Sequence, residues 1–131
     1  MARIERFEEI EAWKQARKLT KAVYRATRSG SFREDLGLRD QLQRAAVSTM
    51  ANIAEGFDGG SNREFIKFLG YAFRSATEVQ SHLYVALDQD YITQRDFDSI
   101  YDLSVQVKSL VQGFMRYLRS QRRTRTSTTR S

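Results

Sequence analysis

Apolar residues recur at every third or fourth position along most of the chain, which is the spacing of one face of an α-helix. This pattern predicts three helices, over about residues 8–28, 36–55 and 61–90, and a fourth that follows Thr93 and continues through residue 118. The connections are short, which favours neighbouring helices that run in opposite directions. We therefore expect an all-α protein, an antiparallel up-down-up-down four-helix bundle.

The same periodicity predicts which side chains face the core of the bundle. They are Trp13, Ala16, Thr20, Val23 and Thr27 in the first helix, flanked by Ile10 and Tyr24; Leu38, Leu42, Ala45, Ala46, Met50, Ile53 and Ala54 in the second; Phe65, Leu69, Ala72, Ala76, Val79, Leu83 and Ala86 in the third; and Phe97, Ile100, Ser104, Val107, Val111, Phe114 and Leu118 in the fourth.

Glycine and capping residues mark the predicted helix ends. Gly56 is expected to stop the second helix. Ser61 and Glu64 form a capping box in front of the third helix, and Thr93 with Asp96 offers a similar start for the fourth.

The composition excludes several classes of protein. The chain has no cysteine, which rules out disulfides, thiolate metal sites and cysteine nucleophiles. It has no proline either, which argues against a turn-rich all-β fold. The N-terminal residues lack an apolar signal core and no long apolar run follows, so we expect a soluble cytoplasmic protein without membrane contact.

Positive charge is concentrated at the C-terminal end. The 131 residues carry a net charge of +6, and residues 116–131 contain six arginines and no acid, so the rest of the chain is balanced. We expect a bundle domain over residues 1–121. Residues 122–131 consist only of Arg, Ser and Thr and have nothing apolar to bury. We therefore expect them to form a disordered tail.

The first helix carries a row of basic residues away from its apolar stripe, with no acid between residues 12 and 31. Like charges this close repel one another within a helix, whereas a row of phosphates would neutralise them. An ordinary solvated helix face is the alternative interpretation. The predicted nucleic-acid-binding residues are Lys14, Lys18, Lys21, Arg25 and Arg28, together with Arg116, Arg119, Arg122 and Arg123 at the end of the fourth helix.

A polar stripe runs along the second helix beside small residues and has polar counterparts on the third. If the arginines form bidentate ion pairs with the glutamates, this stripe is a polar network between the two helices. A solvated helix face is the alternative interpretation. The candidate network comprises Gln41, Arg44, Ser48, Asn52, Glu55, Arg74, Ser75 and Glu78.

The sequence offers little for catalysis. His82 is the single histidine and lies four residues after Glu78, but the Glu-x-x-His repeats of di-metal bundles are missing. No glycine-rich phosphate loop or serine–histidine–acid pattern is present. We expect no enzymatic activity, no metal and no cofactor.

Several blocks of sequence also carry a family resemblance, which covers roughly residues 7–118. They are Glu11-Ala-Trp-Lys-Gln-Ala-Arg-Lys-Leu19 with Tyr24; Leu38, Gln41-Leu42, Arg44-Ala45-Ala46, Ser48 and Asn52-Ile-Ala-Glu-Gly-Phe57; and Glu64-Phe65, Phe68-Leu69, Ala72, Ser75, Glu78 and Leu83. With these blocks the chain resembles the bacterial four-helix-bundle family first described from proteins encoded in intervening sequences of 23S ribosomal RNA genes. Phe73-Arg74 departs from the Arg-Gly that this family tends to have before Ser75.

The resemblance implies an antiparallel four-helix bundle that assembles as a barrel-shaped homopentamer, and no established enzymatic activity. A related branch, the accessory variability determinant of diversity-generating retroelements, binds nucleic acid and a reverse transcriptase. Two hypotheses follow: a non-catalytic oligomeric scaffold that binds RNA or DNA through its basic surface, or a protein–protein adaptor, such as an accessory subunit of a reverse transcriptase, in which nucleic-acid contact is incidental.

Overall fold

The computed structural model describes the backbone of residues 3–129 and the side chains of residues 3–121. This part of the chain contains four α-helices and no β-strand: α1 (Glu11–Thr27), α2 (Leu36–Asp58), α3 (Asn62–Asp88) and α4 (Gln94–Thr129). Two short 3-10 turns, Phe7–Glu9 and Gly30–Glu34, precede α1 and α2. Of the predicted disordered tail, residues 122–131, the backbone of 122–129 is described as the last part of α4, whereas its side chains and residues 130–131 lie outside the described ones. A free disordered tail stays a prediction.

The four helices pack around a common core as a four-helix bundle. α1 contacts α2 and α4, and α3 contacts the same two helices, so α1 and α3 lie diagonally across the bundle. Between α3 and α4, Phe65 packs on Phe114, Gln80 bonds to Ser104 and Tyr84 packs on Phe97.

The core predicted for the last two helices is confirmed. All seven residues predicted for α3 are buried, and so are six of the seven predicted for α4, with Phe114 half-buried. In α1 the buried line is displaced, because Ala12 and Leu19 occupy the core while Trp13 and Thr20 are only half-buried. Helical spacing is compatible with either line, and packing against the other helices buries the one that contains Ala12 and Leu19.

The first helix begins later than its acidic residues indicate. Ile10 is extended, with φ −74° and ψ 121°, and this separates the Phe7–Glu9 turn from α1. The Ile10 side chain is only 1% exposed. Burial of this isoleucine therefore outweighs the helical preference of the surrounding glutamates.

The prediction that Gly56 stops the second helix is wrong. α2 continues to Asp58, and Gly56 is buried inside its last turn. A Cβ atom at this position would lie 2.8 Å from Phe68 Cβ and 3.0 Å from Phe65 Cδ1. The glycine is needed because α2 and α3 approach closely here.

Side-chain caps start three of the helices. Ser61 Oγ accepts the Glu64 amide at 3.1 Å, and Thr93 Oγ1 accepts the Asp96 amide at 3.1 Å, as the sequence predicts. The Glu64 carboxylate, however, lies 3.3 Å from Lys67 Nζ, so it pairs along α3 instead of completing the capping box.

Asp35 caps α2 and joins it to the α3–α4 connection. Its Oδ1 accepts the Leu38 amide at 3.1 Å, and its Oδ2 accepts the Tyr91 hydroxyl at 3.0 Å. The hydrogen bond to this carboxylate raises the pKa of Tyr91 above its ordinary value. One aspartate thus holds together segments that are far apart in the sequence.

No helix among the described residues is both long enough and apolar enough to cross a membrane.

Candidate nucleic-acid interface

The predicted basic row of α1 lies on the solvent-exposed side of the bundle. The buried line of α1 runs through Ala12, Ala16, Leu19, Val23 and Thr27, and the basic residues occupy the remaining surface of the helix. All five of them are exposed: Lys14, Lys18, Lys21, Arg25 and Arg28. We call this set the α1 basic face.

Two of these five cations have partners within α1. Lys14 Nζ lies 3.3 Å from Glu11 Oε1, and Arg28 Nε donates to the Tyr24 carbonyl oxygen at 3.3 Å. Lys18, Lys21 and Arg25 form no ion pair with any described side chain. The middle of the α1 basic face therefore carries charge that only solvent or a bound anion compensates.

Arg116 and Arg119 belong to a different surface. Both are exposed on α4, where they line a cleft of about 310 Å³ against α3. The other residues that line this cleft are Gly70, Phe73, Arg74, Gln112 and Met115. We call it the α3–α4 cleft. The side chains of Arg122 and Arg123 lie outside the described residues.

The tertiary structure thus separates the predicted nucleic-acid-binding residues into two groups. No residue of α1 lines the α3–α4 cleft, so the α1 basic face and the α3–α4 cleft are distinct sets of residues. The sequence alone groups Arg116 and Arg119 with α1 by charge, whereas the structure places them beside Arg74.

Three members of the predicted polar network meet at the contact between α2 and α3. The hydroxyls of Ser48 and Ser75 are 2.9 Å apart. Asn52 Nδ2 donates to the Ser48 carbonyl oxygen at 2.8 Å and to its hydroxyl at 2.9 Å. These short side chains fit because the helices are close together.

The remaining members of that predicted network face solvent. Gln41, Arg44, Glu55, Arg74 and Glu78 are all exposed, and within residues 3–121 no ion pair joins these arginines to these glutamates. Their side chains are too long for the narrow α2–α3 contact, and hydration stabilises the charges outside it.

A second polar link, which the sequence pattern did not predict, joins α3 to α4. Gln80, only 8% exposed, donates to Ser104 Oγ at 2.9 Å and accepts from Lys108 Nζ at 3.0 Å. Lys108 Nζ also lies 4.6 Å from the centre of the Phe73 ring. The available signal was Gln80 itself, a polar residue beside core Val79.

Another polar contact that the sequence analysis missed joins α1 to α2. Gln43 Nε2 donates to Thr27 Oγ1 at 2.9 Å, and Thr20 Oγ1 lies 3.0 Å from the Ala46 carbonyl oxygen. Every buried side-chain nitrogen and oxygen among the described residues has a hydrogen-bond partner. These links favour one register between the helices.

The structure places His82 half-buried on α3, with Glu78 exposed one turn before it. Across the described residues, no three side chains among His, Asp and Glu converge as a metal would require.

A second, larger groove of about 940 Å³ lies near the start of α1 and the α2–α3 connection. Phe57, Phe65, Leu110, Phe114 and Tyr117 supply much of its lining, with Arg3 and Glu9 also present. The groove is therefore suited to apolar rather than phosphate contacts.

These features define a class: an all-helical bundle protein with two exposed basic surfaces. The family model of the 23S rRNA-intervening sequence protein matches residues 8–113, so the chain belongs to the 23S rRNA-intervening sequence protein family. This confirms the resemblance that the sequence blocks carry.

A solved structure has a similar fold. It is a protein of unknown function from the S23 ribosomal protein family of Bacteroides thetaiotaomicron VPI-5482, with a TM-score of 0.74 and 22% sequence identity. The similarity covers 80% of this chain and 95% of that one. A comparison with curated proteins found no match.

Proposed function

We propose that the protein is a non-catalytic, oligomeric helical scaffold that binds RNA or DNA through its basic surfaces. The observation that carries this proposal is the α1 basic face, where Lys18, Lys21 and Arg25 are exposed and unpaired among the described side chains. Crowding cations on one helix face opposes folding slightly, and a phosphate backbone relieves that repulsion.

The expected recognition is of backbone rather than sequence. Lysines and arginines that contact phosphates position a nucleic acid without reading its bases. The binding free energy should therefore depend strongly on salt and weakly on sequence.

We also propose that the helices run up-down-up-down and that the protein forms a homopentamer. The helix direction is supported by the α3–α4 contacts, in which residues progressively later in α3 meet residues progressively earlier in α4.

The pentamer rests on the family resemblance, and exposed apolar residues such as Val47, Val105 and Tyr117 offer surface that a second copy would cover. Sedimentation of the free protein measures its oligomeric state directly, and a monomer would contradict the proposed pentamer.

In a pentamer each basic surface would be present five times, so individually weak phosphate contacts would act together on one strand. The apparent affinity would then exceed that of a single bundle.

The test of nucleic-acid binding compares two variants of equal charge. The first removes the unpaired cations of the α1 basic face (Lys18→Gln, Lys21→Gln and Arg25→Gln). The second is the matched control, with three exposed arginines replaced elsewhere (Arg33→Gln, Arg63→Gln and Arg95→Gln). Fluorescence anisotropy of a labelled single-stranded RNA, measured over a series of salt concentrations, gives affinity and salt slope for each.

We expect the α1 variant to weaken binding by at least about tenfold, because three phosphate contacts are lost, and its log–log salt slope to become shallower by about 2. The control should bind within about twofold of the wild type. Equal losses in both variants would mean that net charge, not the α1 basic face, governs binding, and no binding by the wild type would refute the proposal.

A protein–protein adaptor is the second candidate function, favoured by the apolar groove of about 940 Å³. An accessory role beside a reverse transcriptase is one form of it. An adaptor predicts that both charge variants leave partner binding intact, and that a charged substitution in the groove, such as Leu110→Glu, abolishes it.

A further inference from the structure

The α3–α4 cleft combines free space beside a glycine with three cationic side chains. Gly70 is one of the residues that line it, and an added Cβ there would meet nothing closer than Met115 Cε at 4.0 Å. Arg74, Arg116 and Arg119 line the cleft, together with the amide of Gln112. The cleft, with a volume of about 310 Å³, lies between two helices and is open to solvent, so a polar ligand can enter it.

The charge in this cleft is uncompensated. None of the residues that line it is acidic, and none of the three arginines forms an ion pair with a described side chain. Lys108 does not line the cleft itself, but its ammonium group lies over the ring of Phe73, which does, and donates to Gln80. Cations brought together from two helices repel one another, and an anion between them would reverse the sign of that energy.

Arginine is suited to one class of anion in particular. The planar guanidinium donates two parallel hydrogen bonds to a phosphate or carboxylate, and its weak hydration makes the exchange of water for phosphate favourable. Gln112 offers a neutral amide donor beside them. This donor set matches the oxygens of a phosphate group.

We infer that the α3–α4 cleft binds the phosphodiester backbone of a nucleic-acid strand, with Arg74 of α3 acting together with Arg116 and Arg119 of α4. This inference rests on the proposed function and adds a second binding surface to it. It reassigns Arg74 from the predicted network between α2 and α3 to a phosphate contact.

A strand fits the cleft better than a lone phosphate ion. The arginines are exposed and come from two helices, whereas a single small anion is held by enclosed donors. The basic sequence also continues past Arg119 with Arg122 and Arg123. At about 1.5 Å of rise per residue, Arg116 and Arg119, three positions apart on α4, can make successive contacts along a linear polyanion.

The experiment uses two variants that change the cleft in different ways. Arg74→Gln removes one cation, and Arg63→Gln removes an equally exposed arginine from the first turn of the same helix as a matched control. Gly70→Leu places an apolar side chain in the α3–α4 cleft and leaves every charge in place. Binding is measured by anisotropy of a short fluorescein-labelled single-stranded RNA, and circular dichroism checks that each variant is folded.

We expect Arg74→Gln to weaken binding by about five- to tenfold, since one charge-assisted contact of about 1–1.4 kcal/mol is lost. Gly70→Leu should weaken binding similarly, because it blocks the cleft. If binding depended only on a diffuse patch of positive charge, Gly70→Leu would have no effect. Arg63→Gln should stay within about twofold of the wild type. If Gly70→Leu does not fold, Arg74→Lys replaces it: retained charge without the guanidinium fork should give a loss between wild type and Arg74→Gln.

The outcomes separate this inference from the proposed function. If the α1 variant loses affinity for the RNA while Arg74→Gln and Arg63→Gln bind it equally well, the α3–α4 cleft is not a binding surface. The proposed function would remain valid. Absence of any RNA binding by the wild type would refute both. If Arg74→Gln loses affinity for inorganic phosphate but binds the RNA as well as Arg63→Gln does, the cleft binds a free phosphate and the inference of a bound strand is wrong.

Discussion

Gly56 shows how much of this fold depends on the absence of one methyl group. It lies in the last turn of α2, and the space that a Cβ would need is taken by Phe65 and Phe68 of α3. One of the obstructing atoms is Phe68 Cβ, which cannot move without its backbone. The close approach of α2 and α3 therefore requires glycine here.

Replacing Gly56 with alanine should destabilise the protein by about 1–3 kcal/mol, the usual cost of an added carbon in a packed core. Urea denaturation followed by circular dichroism gives the free energy of unfolding. Gly113→Ala is the control, because a Cβ at Gly113 would meet only Arg116 Nη2 at 3.9 Å. The control should be neutral or stabilise α4 by about 0.5–1 kcal/mol. Equal effects at both glycines would contradict the steric explanation.

Side-chain length decides which polar residues enter the α2–α3 contact. Ser48, Asn52 and Ser75 form hydrogen bonds there, whereas the arginines and glutamates of the same stripe stay in water. Spacing in the sequence placed the α2 members of this set on one face of the helix. It carried no information about how near the second helix comes.

At the scale of helices, the sequence predicted number and order correctly because each buries a periodic apolar face. The errors concern the residues at which helices begin and end, and the rotation of a helix about its own axis. α1 begins at Glu11 because Ile10 is drawn into the core, and its buried line includes Ala12 and Leu19. Such details depend on what the helix packs against.

The end of α3 is a tight turn through an unfavourable backbone conformation. Asp90 has φ +60°, while the Tyr91 amide donates to the Ala86 carbonyl oxygen at 2.9 Å and the Asp90 amide to that of Leu87 at 3.0 Å. This is the hydrogen-bond pattern of a Schellman motif, in which glycine is the usual residue at the left-handed position.

Asp90→Gly should therefore stabilise the protein by about 0.5–1 kcal/mol, as relief of left-handed strain exceeds the entropy that glycine adds to the unfolded chain. Thermal unfolding monitored by circular dichroism measures the change. Gly60→Ala, at φ +87° in the α2–α3 connection, should act in the opposite direction. A lower melting temperature for Asp90→Gly would show that the aspartate side chain contributes more than its backbone strain costs.

At the scale of the whole molecule, the arrangement of the bundle distributes the positive charge. The α1 basic face contributes no residue to the α3–α4 cleft, and α4 continues from the cleft into the C-terminal arginines. The family match ends at residue 113, before all of these C-terminal arginines. The cleft is therefore built partly from sequence that the family model does not cover.

Deleting residues 122–131 should leave the melting temperature within about 2 °C of the full chain, because Leu118 is the last buried side chain among those described. The affinity for single-stranded RNA should fall by about tenfold or more, since four arginines are removed. A variant with these four arginines replaced by glutamine separates charge from length. An unchanged affinity in both would exclude a role for this segment in binding.

The sequence by itself determined the four helices, most of the α3 and α4 core and the presence of excess positive charge, because these follow from local spacing and composition. Only the tertiary structure decided which side chains meet. Arg74 lies beside Arg116 and Arg119, and Ser48 bonds to Ser75, through the rotation and register of helices that are distant in the sequence. That register results from packing over the whole core, so no local pattern contains it.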